Sequence, residues 1–225
     1  LIIHNHNQRS SDYSHIRQIY RPGHADYTYA QKYGIRDIRG GGRSSGRETA
    51  ARVAAGAVAR KILTEFGITV SAYTISIGEI SIDHSNFDIT ETRRNPLVMP
   101  DAKAALKACE YIEHLKQQGD SAGGVVECVI NGLPAGVGEP VFEKLDAMLA
   151  KAILSIGAVK AVEFGSGFKS AISTGSKNND PFSATSSGKI EKMSNNSGGI
   201  TGGISEGYPI MIRAAFKPTP SVSAS

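Results

Sequence analysis

The chain has 225 residues, of which 40% are apolar and 20% are charged, so it is long enough to bury one substantial core. Its 25 basic and 21 acidic side chains give a net charge of +4, an excess too small to favour a nucleic-acid lattice as its partner. No segment reaches the ~20 consecutive apolar residues that would cross a bilayer, and the two cysteines show neither a metal-ligand spacing nor a disulfide-rich pattern. These features predict one globular unit in a reducing cytoplasm, with no membrane, nucleic-acid or metal partner.

The first stretch of the chain, residues 1 to 37, is a short apolar strand followed by a polar, tyrosine-rich loop. Within it, Pro22 and Gly23 predict a turn immediately before His24, and Asp26 supplies a carboxylate nearby. A carboxylate beside an imidazole can fix the ring tautomer and tune its pKa near neutrality. His24 is therefore the candidate acid or base among the six histidines, although its spacing alone is more typical of a structural turn residue.

The Gly/Arg-rich segment from Arg39 to Thr49 predicts the start of a helix. Ser45 is a favourable N-cap, and Glu48, three residues later, would reach back to complete a capping box. The helix formers that follow continue to a natural stop at Gly67. Because one face of this helix carries only small residues, we expect another backbone to pack against it and bury most of it.

Four arginines gather at the start of that helix, at positions Arg36, Arg39, Arg43 and Arg47. Cations at the positive end of a helix dipole are unfavourable by ~0.3–1 kcal/mol each at exposed sites. The cluster is therefore understandable if an anion occupies the turn, with phosphate or carboxylate as the expected guest. The alternative is a solvated nucleic-acid-binding tail of the RGG type, which the regular helix that follows disfavours.

The middle of the chain mixes strands and helices without a uniform βαβ repeat, which predicts an α+β arrangement. A strand pair, or one strand bent at Gly78, is expected over residues 68–82. The other predicted elements are a helix from Asp101 to Gln118 that ends before Gly119, a strand from Val125 to Ile130, a helix from Val141 to Ile156, and a strand from Ala158 to Phe164.

The last third of the chain is rich in glycine and small polar residues. Residues 174–197 predict a mobile surface loop, and an apolar strand, PIMIRAAF, follows the glycines at 198–207. The glycine spacing fits neither a P-loop nor a Rossmann fingerprint, so the glycines either surround a ligand or form a structural turn. Lys217 to Ser221 place a cation and two hydroxyls on a stiffened backbone, which suits phosphate binding or a plain strand terminus.

Five segments, in order, resemble the chorismate synthase family across essentially all 225 residues: RPGHADYTY, GIRDIRGGGRSSGRETAARVAAGA, LPAGVGEPVF, NNSGGITGGISEG and KPTPS. The resemblance implies an α+β fold of the β-α-β sandwich type, with helices packed between antiparallel sheets, usually assembled as a homotetramer. It also implies a carbon-oxygen lyase acting on phosphates. The family reaction is the 1,4-anti elimination of phosphate from 5-enolpyruvylshikimate 3-phosphate, which gives chorismate in the shikimate pathway of aromatic amino acid biosynthesis and uses reduced FMN.

The same resemblance implies roles for individual residues. His24 would be the catalytic acid, and Arg47 would hold the substrate. The implied cofactor-binding residues are Arg43, Ser44, Ser45, Gly157, Ala158, Gly202, Lys217, Pro218, Thr219, Pro220 and Ser221. No metal is implied.

Some implications concern the whole protein. The family's N-terminal GESHG segment and its C-terminal portion have no counterpart in this sequence, so we expect a single core truncated at both ends, residues 1–225, with little activity of its own. The flavin would be reduced by NADPH through the same polypeptide or by an external flavin reductase. The location would be the cytoplasm, or a plastid if a transit peptide precedes Leu1. Two other hypotheses remain: a non-catalytic phosphate- or RNA-binding module and a structural oligomerisation core.

Overall fold

The computed structural model describes residues 2–4, 18–38, 42, 45–188 and 190–223. Its helices are α1 (Asp26–Tyr33), α2 (Thr49–Glu65), α3 (Ala102–Gln117), α4 (Leu145–Leu154) and α5 (Gly175–Asn178). Its strands are β1 (Thr69–Ile77), β2 (Ile80–Ser81), β3 (Gly124–Asn131), β4 (Val159–Phe164), β5 (Phe182–Ala184), β6 (Ile190–Lys192), β7 (Ile200–Thr201), β8 (Ile204–Ser205) and β9 (Ile210–Phe216). None of the described helices has both the length and the apolar character that a membrane crossing requires.

The main sheet has five antiparallel strands in the order β2-β1-β3-β9-β4. Residues 68–82 form the predicted strand pair, because Gly78 turns the chain between β1 and β2 with a φ of 55°. Two small hairpins, β5-β6 and β7-β8, lie outside this sheet. At the β4 edge the register shifts between Val159 and Ala161, which leaves Lys160 in a bulge.

The helix α3 confirms the element predicted from Asp101 to Gln118. The buried carboxylate of Asp101 accepts hydrogen bonds from the backbone N–H groups of Lys103 and Ala104, so it caps the helix as expected. Gly119 ends it with a φ of 71°. One core cluster forms around this helix, where Ala105 and Ala108 pack with the fully buried Met99.

A second core cluster lies between α4 and the main sheet. Ile210 and Ile212 of β9 are buried there beside Leu149 and Ile153 of α4. Because successive strand residues point to opposite faces, Arg213 lies on the other face, where it pairs with Glu127 at 3.0 Å and Glu163 at 2.5 Å. The helices and antiparallel sheets confirm the α+β class.

The start of α4 differs from its prediction. The helix begins at Leu145 and not at Val141, since Val141 has a φ of 67°, in the left-handed region that a helix excludes. Strand β4 likewise begins at Val159 because Ala158 has a φ of 72°. Residues 174–197 hold α5 and the β5-β6 hairpin in place of an irregular loop, and their mobility stays a prediction.

The prediction that α2 is largely buried is wrong for the described chain. None of its 17 residues is buried, and Val53 and Val58 are 72% and 58% exposed. The described elements that pack on α2 are mainly its neighbours in the chain, the 3-10 turn at Gly46–Glu48 and β1, so most of its surface is left exposed.

Candidate active site

His24 lies in the turn that precedes α1, where it meets the segment after β9. Its Nε2 atom is 2.9 Å from Ser221 Oγ, and the ammonium of Lys217 donates to the carbonyl oxygen of Gly23 at 2.9 Å. Gly23 has a φ of 70°, and a Cβ there would lie 2.6 Å from Cβ of Pro220. Only glycine permits so close an approach, which brings the imidazole to Ser221.

The turn before β4 joins the same group. The backbone N–H of Lys217 donates to Ala158 O at 3.0 Å, and Val159 pairs with Phe216 at this end of the sheet. The carbonyl of Thr219 accepts from the hydroxyl of Ser121 at 2.7 Å, which fixes the segment after β9 on its other side. The structure therefore brings together a set of predicted site residues that are distant in sequence: His24, Gly157, Ala158, Lys217, Pro218, Thr219, Pro220 and Ser221.

Asp26 does not hold the imidazole, contrary to the sequence interpretation. Its carboxylate accepts from the guanidinium of Arg21 at 2.8 and 2.9 Å, and Arg36 lies 2.8 Å from it. The hydrogen bonds from Arg21 lower the pKa of Asp26 to about 2, against the opposing effect of burial. The carboxylate is thus committed to two arginines, and the hydroxyl of Ser221 is the hydrogen-bond partner of the His24 ring.

The pKa of His24 is lowered from its ordinary value. Burial is the largest cause, followed by the positive charge of Arg21, while Asp26 acts in the opposite direction and Lys217 lowers the pKa further. The imidazole is therefore mainly neutral at pH 7 in this structure. An anion bound beside Arg21 and Lys217 would offset their charges and favour protonation of the ring.

The Gly/Arg turn is only partly described. Arg43 and Ser44 lie outside the described residues, so their predicted contacts with a cofactor stay predictions. Ser45 caps a 3-10 turn, Gly46–Glu48, by accepting a hydrogen bond from the N–H of Arg47 at 3.3 Å.

The capping box predicted at this turn is not formed. The N–H of Ser45 donates to Gly42 O at 3.1 Å, and the carboxylate of Glu48 lies 3.7 Å from the guanidinium of Arg52. The 3-10 turn accounts for the difference, because it bonds Glu48 N to Ser45 O and starts the α-helix one turn later.

Arg47 lines a groove of about 520 Å³ that runs along α2. The rest of its lining is mostly apolar and includes Ile3, Ala54 and Val58, together with His4. A single guanidinium beside an apolar wall suits a ligand with one anionic and one carbon-rich part. The structure shows no direct contact between Arg47 and His24 within the described residues.

Arg52 connects the two groups, and the sequence interpretation missed it. Its guanidinium donates to Ser155 Oγ at 2.8 Å and to Ser155 O at 3.1 Å. Ser155 caps the C-terminus of α4, two residues before Gly157. The first turns of α2 are thereby attached beside the Gly157–Ala158 turn. The only signal in the sequence was the i,i+4 spacing of Glu48 and Arg52, which is common on helix surfaces.

Gly202 lies apart from the Gly157–Ala158 turn, although both are predicted cofactor-binding positions. It lies in the β7-β8 turn with a φ of 65°, and the neighbouring Gly203 accepts a hydrogen bond from Leu145 N at 2.8 Å. Leu145 begins α4, whereas Ser155 and Gly157 follow its end, and a helix of this length spans ~15 Å. The structure thus places Gly202 at the opposite end of α4 from Gly157.

The fold and the site define an α+β protein whose basic and hydroxyl side chains meet at one end of an antiparallel sheet. A family model described as chorismate synthase matches residues 1–225. Proteins named chorismate synthase are 58% identical in Lachnoclostridium phytofermentans, covering 99% of this chain and 60% of the relative, and 57% identical in Lachnospira eligens, covering 100% and 61%. The chain therefore belongs to the chorismate synthase family.

A solved structure supports the same assignment. The structure titled "Crystal Structure of Chorismate Synthase" is similar with a TM-score of 0.79 at 36% identity, and the match covers 88% of this chain and 63% of that one. The resemblance and the fold class predicted from the sequence are both confirmed. The chain spans about three-fifths of the length of the curated relatives that it matches.

Proposed function

We propose that the protein containing this chain is a chorismate synthase, a lyase that eliminates phosphate from 5-enolpyruvylshikimate 3-phosphate in the 1,4-anti sense to give chorismate. The observation that carries the proposal is the meeting of His24, Lys217 and Ser221 at the end of the sheet. Family membership supports the enzyme class and the shikimate pathway.

The substrate is a small molecule with a phosphate and carboxylates, and its anionic groups need fixed cations. Arg47 supplies a planar pair of donors at the groove along α2, a geometry that matches phosphate and carboxylate oxygens. The attachment of Arg52 to Ser155 keeps the turn bearing Arg47 beside the Gly157–Ala158 turn.

Reduced FMN is the cofactor of this proposal, and the residues present fit it. A Cβ at Gly157 would meet nothing within 4 Å, so this turn is open to a flat ring. Lys217 and the hydroxyls of Ser45, Thr219 and Ser221 provide donors for phosphate and ribityl oxygens. By resemblance, Arg43, Ser44, Ala158, Pro218, Pro220 and Gly202 complete the set. When bound, the reduced flavin supplies transient electron donation to an overall redox-neutral elimination.

His24 is the acid of the proposed mechanism, acting at Nε2. The hydroxyl of Ser221 orients this nitrogen at 2.9 Å. Burial lowers the pKa of His24 most, and the charges of Arg21 and Lys217 lower it further; an anionic ligand beside these two cations would offset the charge contribution and so favour proton uptake by His24. The protonated imidazole of His24 would then be present in the active site when the ligands are bound.

The remaining parts of the proposal concern the protein at its natural length. We propose a homotetramer in the cytoplasm, or in a plastid if a transit peptide is present. NADPH acting through the same polypeptide and an external flavin reductase are the two proposed sources of electrons. The 225-residue chain alone would show little turnover.

Anaerobic assay of the natural-length protein with reduced FMN and 5-enolpyruvylshikimate 3-phosphate tests the proposal by chorismate formation. We expect turnover in the wild type and a loss of about 100-fold or more in His24→Ala, the usual scale for general acid catalysis. Lys151→Ala, an exposed lysine on α4, is the control and should match the wild type. Absence of chorismate from the wild type would refute the proposal.

A further inference from the structure

Lys192, the last residue of β6, is buried despite its charge, with a side chain that is 1% exposed. Its ammonium donates to Ser197 Oγ at 2.6 Å and to Glu206 Oε2 at 2.5 Å, and it lies 2.9 Å from Asp180 Oδ2. The ring of Tyr208 lies 5.7 Å away. A lysine ammonium has three N–H donors, so each of them has an acceptor in this site.

The acceptors are themselves held in place by further hydrogen bonds. The carboxylate of Asp180 accepts from Ser194 Oγ at 2.6 Å and from the N–H groups of Asn196 and Ser197 at 2.7 and 2.9 Å. Although burial raises the pKa of Asp180, these hydrogen bonds and Lys192 hold it well below its ordinary value. The carboxylate therefore stays charged throughout the physiological pH range.

The contacts of Lys192 join two parts of the chain. Asp180 and Lys192 belong to residues 174–197, whereas Glu206 directly follows β8. The other carboxylate oxygen of Glu206 accepts from Thr201 Oγ1 at 2.5 Å, and Thr201 is the residue before Gly202. The contacts therefore lead from the β5-β6 hairpin to the turn that bears Gly202.

We propose that Lys192, Asp180 and Glu206 form an ionic clasp that positions the Gly202 turn for the cofactor. In this role Lys192 is a positioning residue, since it touches the turn through Glu206 and Thr201. The inference rests on the proposed function, because it requires that the Gly202 turn faces a bound flavin.

The low exposure of the three side chains, 1% for Lys192, 7% for Asp180 and 15% for Glu206, explains why such a clasp would be effective. Buried charges are tolerated only when they are paired and hydrogen-bonded, so alternative positions of the hairpin would leave an ion without its partner. Gly202 itself is exposed, and a Cβ there would meet nothing within 4 Å. The turn is therefore open to a ligand at Gly202, while the neighbouring Thr201 is held by Glu206 of the clasp.

The test compares wild type, Lys192→Met and the control Lys151→Met at natural length. Flavin fluorescence gives the Kd for FMN, chorismate formation gives kcat at saturating FMN, and hydrogen exchange reports on the amides of residues 199–205.

In Lys192→Met we expect a Kd higher by about tenfold, because pre-organisation of the site is lost. Exchange in residues 199–205 should be faster, exchange in α3 unchanged, and kcat within about twofold of the wild type.

The possible results separate the two proposals. If the wild type binds FMN and makes chorismate but Lys192→Met binds FMN equally well, the clasp is not a positioning device and only this inference fails. If the wild type neither binds FMN nor makes chorismate, the proposed function fails and the inference fails with it.

Glu206→Gln covers the case in which Lys192→Met does not fold, since it keeps the shape of the side chain and removes its charge. We expect this variant to raise the Kd by about threefold, and Lys192→Arg, which keeps the cation, to recover part of the affinity. An unchanged Kd in a folded Glu206→Gln protein would overturn the inference.

Discussion

At the Phe216 end of β9, three segments are joined by hydrogen bonds that water can reach, whereas at the Ile210 end the contacts are made by buried ions. The first end holds His24, Lys217 and Ser221 through solvent-exposed hydrogen bonds. The second holds Lys192 with a side chain that is 1% exposed. Water-accessible contacts can rearrange when a charged ligand arrives, while a buried ionic cluster fixes its surroundings in advance. The proposed active site would thus have one adjustable end and one rigid end.

Removal of Asp180 should produce the largest effect among the predictions that follow. Asp180→Ala leaves the ammonium of Lys192 buried with one carboxylate in place of two, and breaking a buried ion pair costs about 3–5 kcal/mol. Urea unfolding should show this loss in the free energy of unfolding. Glu113→Ala, which removes an exposed ion pair with Lys116, should cost less than about 1 kcal/mol. Equal losses in the two variants would show that the buried ionic cluster stabilises the fold no more than an exposed ion pair does, and would contradict its rigid role.

The Asp26 carboxylate, near His24, should make the free energy of unfolding depend on pH. Its pKa is lowered from 3.8 to about 2 in the folded state, so its pairing stabilises the fold above the unfolded pKa. That contribution, about 2 kcal/mol at neutral pH, is lost as the pH falls from about 4 through 2. Unfolding of wild type and Asp26→Asn should therefore differ at pH 7 and converge near pH 2. A difference that does not depend on pH would show that the charge of Asp26 is not responsible.

Ser221→Ala should affect turnover more than stability. Loss of a water-accessible hydrogen bond costs about 1 kcal/mol or less, but the imidazole of His24 would lose the group that orients it. We expect chorismate formation to fall by about tenfold, given the cost of misplacing a reacting group. Ser221→Thr keeps the hydroxyl and should retain most of the activity. Full activity in Ser221→Ala would exclude a positioning role for this hydroxyl.

The smallest expected effect is a change in the pKa of His24. Beside burial and the charge of Arg21, the charge of Lys217 also lowers this pKa, so Lys217→Met should raise it, and only slightly because the two groups are partly exposed. Titration of the His24 ring by NMR measures the change. Lys160→Met, on the exposed edge of β4, is the control. A fall in the pKa of His24 in Lys217→Met would contradict the electrostatic account of this end.

Local signals in the sequence predicted the elements whose ends are set by local chemistry. Asp101 and Gly119 bound α3 as expected because a capping carboxylate and a left-handed glycine act within a few residues. The start of α4 was missed because Val141 adopts a left-handed conformation that its residue type does not suggest.

Long-range contacts were beyond what the sequence could predict. Asp26 is next to His24 in sequence, yet its partners are Arg21 and Arg36, and the imidazole meets Ser221 from the far end of the chain. Lys192 lies in a segment whose composition suggested only a loop, because the acceptors that bury it come together only in the folded chain. Residue chemistry alone pointed to His24, the arginines at the start of α2 and Lys217, and resemblance to a family supplied the other candidate site residues. The fold showed that Gly202 lies apart from Gly157.

The bulge at Lys160 affects how readily the edge of the main sheet could pair with another protein chain. Within the described sheet β4 pairs on one side only, with β9. The N–H and C=O groups on its other side could therefore pair with a strand of another molecule. A bulge and an exposed lysine interrupt and charge that edge, which hinders another chain from extending the sheet. The strand at the opposite edge, β2, has only two residues. Both borders of the sheet are therefore poor templates for aggregation.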